Sequence, residues 1–174
     1  MARCLIQEAS TTMTVAPRLS LPVAVILGRK TVARSGWTVP SWHVVGVVAG
    51  DSLPSADARA VLVHDADGEQ HFLWGGLKVD LYRDAAGSYW GNLTGQQPSL
   101  FVLCTEREDG MLEPLSVTAD ANDASSAQEG DDRVFAAPIP PEVYLHLERF
   151  VIEHHVPQEQ RKRKRTDWTT GKPT

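Results

Sequence analysis

Long apolar runs are missing from this chain, and so are the motifs that announce most chemistries. No stretch approaches the ~18 consecutive apolar residues of a membrane-spanning helix. The opening MARCLIQEASTTMTVAP lacks the apolar centre of a secretory signal. Cysteine is scarce: Cys4 and Cys104 are the two present, and nothing in their spacing supports a disulfide. A free core thiol is expected at Cys104, inside the apolar run LFVLC, and low cysteine use fits a reducing, cytoplasmic setting. No P-loop, dinucleotide fingerprint, nucleophile elbow or zincin motif occurs. Gly75-Gly76 and Gly91 stand alone, with no following helix to bind phosphate.

What is present fits one globular domain with tails. The chain has 174 residues, 42% of them apolar and 22% charged, so a core can form without disulfides or a metal. The net charge of −5 is unevenly placed. Residues 158–174 carry six basic side chains (Arg161, Lys162, Arg163, Lys164, Arg165 and Lys172) against Glu159 and Asp167, a net +4 that leaves −9 for the rest. The reading is a disordered segment over 1–18, a β-rich domain over 19–157 and a basic tail over 158–174.

Apolar periodicity places the elements. Residues 21–29 and 42–50 are rich in β-branched and aliphatic residues and predict two buried strands, broken at Ser35-Gly36, with Gly46 as a bulge or close-approach site. Three hairpins are predicted. They join 59–64 to 69–74 around Asp67-Gly68, 77–83 to 88–94 around 84–87, and 99–105 to 111–118 around Gly110. In LKVDLY, Leu77, Val79 and Leu81 face one way and Lys78, Asp80 and Tyr82 the other, the mark of a half-buried antiparallel strand. The acidic segment 119–132 reads first as a flexible loop, and second as a short exposed helix capped near Asn122 or Asp123. The prolines of 134–140 predict extended chain. One helix is predicted over about 141–155, with Pro141 in its first turn, Pro157 after its end, and Val143, Leu147, Phe150, Val151 and His154 on one face. The expected fold is mainly β: an antiparallel sheet closed or folded into a small barrel, in pleckstrin-homology-like order, with one C-terminal helix.

Candidate site residues are few. His154 and His155 are adjacent and cannot share a helical face, and His146 lies eight residues before His154. His43, His64 and His71 fall on separate strands, which a sheet can bring together; structural or surface roles are expected ahead of a metal site, and no metal or cofactor is assigned. Carboxylate pairs such as Asp65 with Asp67 are accounted for by turn chemistry. The five tryptophans are the compositional oddity. Core packing is expected for Trp37, Trp42, Trp74 and Trp90, with an aromatic binding surface as the alternative. Trp42, Trp90, the basic run Arg161, Lys162, Arg163, Lys164 and Arg165, and Trp168 in the tail are the candidate partner-binding residues. Nucleic acid is not the expected partner. The acidic body repels phosphate, and the aromatics are not interleaved with basic residues as a stacking platform requires.

LPVAVILGRK, WTVPSWHVVGVV, LKVDLYRDAAGSYWGNLTGQQPSLFVLC and PIPPEVYLHLERFVIEHHVPQEQRKRKR carry a likeness. Over about residues 21–165 the chain resembles an uncharacterised bacterial family whose genes lie beside those of respiratory formate dehydrogenase and its maturation factors. The resemblance supplies no catalytic residue. It implies a non-catalytic, cytoplasmic accessory protein that assists assembly or regulation of molybdenum- or tungsten-containing formate dehydrogenase, with an enzyme subunit or maturation factor as partner. The alternatives are an enzyme on a small molecule, which needs a deep pocket lined by His43, His64 or His71 with a carboxylate, and a binder of nucleic acid or an anionic surface through the basic tail.

Overall fold

Two tight turns with positive φ organise the first half of the sheet. The structure, a computed structural model, describes residues 16–50, 53, 60–130 and 132–157. Ser35 (φ 50°) and Gly36 (φ 83°) close a two-residue loop between strands β1 (Leu19–Arg34) and β2 (Trp37–Ala49), with Arg34 opposite Trp37. Asp67 (φ 55°) and Gly68 (φ 76°) do the same between β3 (Val61–Ala66) and β4 (Glu69–Leu81). Positive φ at both central residues twists a hairpin the same way as its strands. β1 and β2 run well past their predicted ends because this turn lets them pair along their whole length. β4 is one strand rather than the predicted two: Gly75-Gly76 is absorbed as a bulge opposite Ala24.

The second half departs further from expectation. Residues 88–94 are expected to complete a hairpin, but 88–93 lie in helix α1 (Ala86–Leu93) and Thr94 caps it. Ala86 and Tyr89 are buried and Leu93 packs against the core, a helical spacing that outweighs alternation. β5 (Ser99–Glu106) and β6 (Leu112–Thr118) form the predicted hairpin. The acidic segment is not a loop: it forms α2 (Ala121–Gln128), the second reading, capped by Asp120, whose side chain accepts from Asn122 N–H at 2.8 Å. β7 (Arg133–Pro138) pairs with β5, and α3 (Pro141–His154) closes the described chain. Three helices therefore occur among the described residues where one was expected.

The sheet runs β2-β1-β4-β6-β5-β7, with β3 paired to β4 off that path. It is mixed rather than wholly antiparallel, because β4 meets β6 in parallel at Val79 and Val117. The end strands β2 and β7 approach one another, so the sheet is nearly closed into a barrel. The interior holds Val23, Val25, Leu27, Val79, Leu100 and Val102, all fully buried. α3 adds Val143, Leu147, Phe150 and Val151 to the same core, the face its periodicity predicted. No described helix is long and apolar enough to cross a membrane.

Candidate functional site

Alternation on three neighbouring strands decides which side chains leave the core together. Leu27 and Trp42 are buried, and Phe72 packs against the core, so their neighbours Gly28, His43 and His71 face outward. Register then aligns them: Gly28 of β1 stands opposite His43 of β2 on one side and His71 of β4 on the other. On β3 a bulge at Val63 puts His64 opposite His71, with ring centroids 4.8 Å apart. Four strands thus carry the row His43, Gly28, His71, His64 across the outer wall of the barrel.

Glu69 completes the cluster. It lies two residues before His71 and so on the same face of β4. Its Oε1 is 2.8 Å from His71 Nε2 and 3.0 Å from His43 Nε2, so one carboxylate oxygen faces both imidazoles. The hydrogen bond from His71 holds the Glu69 carboxyl below its usual range, helped by the charges of His43, His71 and Lys30 against a smaller opposing effect of burial. His43 Nδ1 is buried with no partner among the described residues, so the polar contact of that ring is made through Nε2.

Gly28 is what lets the His43 ring lie where it does. A Cβ at this position would stand 2.5 Å from His43 Nε2, far inside contact distance. Periodicity places the three histidines on separate strands, as they are found, but does not single out Glu69 or Gly28. The Glu-x-His spacing on a strand was the available signal for Glu69. Nothing in the sequence marks Gly28, because its role depends on the register of three strands.

The predicted contact residues fall apart from this cluster and from one another. Trp42 is buried, 5.9 Å by ring centroids from Phe72, with the Arg29 guanidinium 5.7 Å from its ring. It lines an open groove of about 780 Å³ where β2 faces β7, together with Val39, Arg133 and Phe135. Trp90 is half exposed and stacks on His155, with centroids 5.1 Å apart and planes 11° apart. It opens onto a second groove, of about 670 Å³, lined also by Arg83, Asp84 and His154. Trp42 and Trp74 are buried as expected, whereas Trp37, 78% exposed at the tip of the first hairpin, and half-exposed Trp90 are not core residues. Arg161, Lys162, Arg163, Lys164, Arg165 and Trp168 lie outside the described residues, as do Cys4 and the rest of 1–15.

These features define a small, nearly closed mixed β-barrel with an imidazole–carboxylate cluster on its outer wall. The family described as Protein of unknown function (DUF3305) matches residues 22–164, and the chain belongs to it. No curated protein and no solved structure matches the chain.

Proposed function

We propose that this chain is a non-catalytic accessory protein that binds a protein partner, a subunit or maturation factor of molybdenum- or tungsten-containing formate dehydrogenase. The observation that carries the binding reading is strand β3. Every one of its residues is exposed, and Val61, Leu62 and Val63 are about half exposed in succession, at 52%, 47% and 50%. Among the described residues β3 pairs with β4 alone. An apolar strand edge with open backbone groups is a surface that protein chains ordinarily cover or blunt with charge. It suits a partner that adds a strand and seats aliphatic side chains beside it. The choice of formate dehydrogenase rests on the family resemblance alone.

Binding is favoured over turnover because the one imidazole–carboxylate cluster among the described residues lies on an open wall rather than in an enclosed pocket. The test is affinity capture with the full chain as bait, from the native host grown under conditions that induce formate metabolism. A formate dehydrogenase subunit or maturation factor should be enriched. The paired change Val61→Lys and Val63→Lys should reduce recovery by roughly tenfold or more while leaving stability within about 0.5 kcal/mol. A deletion strain with normal formate dehydrogenase assembly and activity would refute the proposal.

A further inference from the structure

We propose that His43, Glu69 and His71 form a binding site for one divalent late transition metal ion of the zinc class. Residues on strands two apart in a sheet sit ~9.6 Å from each other, too far to share an ion without help. Here the strand between them carries Gly28 at the matching position, so the His43 imidazole can lean over bare backbone toward β4. The donor atoms of the three residues all lie within 4.8 Å of one another, with the carboxylate oxygen 2.8 and 3.0 Å from the two nitrogens. Tetrahedral zinc with bonds of 2.0–2.1 Å holds its ligands about 3.3 Å apart, so small side-chain rotations would seat the ion.

The donor set fits the ion class. Two imidazole nitrogens and one carboxylate oxygen suit zinc, nickel, copper or cobalt better than magnesium or calcium, which favour oxygen alone. Three protein ligands leave a fourth coordination position open. All three side chains are partly exposed, at 39%, 35% and 23% for His43, Glu69 and His71, so an ion can reach them from solvent. His64 lies beside the site on the neighbouring strand. A glycine inside a strand weakens it, and here the His43 ring that reaches across β1 to Glu69 requires one. The site is independent of the partner proposed above.

The test uses the full-length, untagged chain, stripped with a chelator and desalted. Calorimetric titration with Zn²⁺ should show one saturable site, Co²⁺ should give the visible absorption of a tetrahedral centre, and Zn²⁺ should raise the Tm. His43→Ala, His71→Ala and Glu69→Gln should each weaken Zn²⁺ binding by about 100-fold or more. Gly28→Ala, whose new methyl displaces the His43 ring without touching a ligand chemically, should weaken it by at least about tenfold. His146→Ala, His154→Ala and His155→Ala should leave it unchanged. Circular dichroism of each metal-free variant checks that the fold persists, and the partly exposed Glu69→Gln keeps size and shape if another variant unfolds. Absence of stoichiometric Zn²⁺ binding to the unaltered chain would overturn the proposal, as would binding that survives both Glu69→Gln and Gly28→Ala.

Discussion

Cys104 shows how burial alone sets the chemistry of a side chain. It is fully buried, and burial, with a contribution from the Asp132 charge, pushes its thiol up to about 12. Tyr89, also buried, is likewise raised to about 12. Both groups are neutral in the folded chain well past the pH at which the unfolded chain ionises, near 8.5 for cysteine and 10 for tyrosine. Their contribution to stability is therefore complete below about pH 8.5 and is lost as the pH climbs toward 12, at up to ~1.4 kcal/mol per pH unit for each group. Urea denaturation from pH 8 to 11 should show stability falling with rising pH. Cys104→Ala should delay the onset by more than one pH unit, leaving the Tyr89 share. A pH-independent midpoint would contradict this account of the core. The same burial keeps Cys104 inert as a nucleophile, so the thiol is structural.

Among the elements, α1 is the one whose placement needs most explanation, since its sequence suggested a strand. Its inner side is held by three kinds of contact. Tyr89 fills the core and its hydroxyl accepts from Tyr82 N–H at 3.2 Å. Ser88 donates to Asp120, the cap of α2, at 2.5 Å. Asn92 donates to the carbonyls of Ser99 and Ala119, both at 2.8 Å, and accepts from Ser99 N–H at 3.0 Å. One amide thus ties α1 to the start of β5 and the end of β6. Asn92→Ala should cost about 2–3 kcal/mol in chemical denaturation, because part-buried backbone groups lose their partners. A loss below about 0.5 kcal/mol would mean that water replaces the amide without penalty. With its nitrogen engaged in this way, Asn92 is a structural residue.

Across the whole molecule, stability should be graded from the middle of the sheet to its open edge. β1 is bonded on both sides, by β2 and β4, and contributes Val23, Val25 and Leu27 to the core. β3 is paired on one side among the described residues and buries nothing. Amide hydrogen exchange should accordingly be slowest at the centre of β1 and much faster along Val61–Ala66, by roughly a hundredfold or more. Equal protection of the two strands would show that the β3 edge is covered, and would remove the main support for the docking surface proposed above. The near-closure between β2 and β7 matters in the same way. It leaves a groove lined by Trp42 and Phe135 rather than a continuous wall.

How much was legible in advance follows from the range of the forces involved. The Ser35-Gly36 and Asp67-Gly68 turns, the alternation of Leu77, Val79 and Leu81, and the stripe of α3 are local patterns, each determined by φ preference or by a short apolar period. The sequence by itself therefore determined a mainly β chain closed by a C-terminal helix, and even the bounds of that helix to within a residue. It did not determine α1, where Gly87 and Gly91 blur the period, or the parallel contact of β4 with β6, which only packing selects. Nor did it determine the row formed by His43, Gly28, His71 and His64. Those residues are brought into line by hydrogen-bond register and by bulges at Val45 and Val63, and a shift of one position on any strand would turn its member of the row to the opposite face.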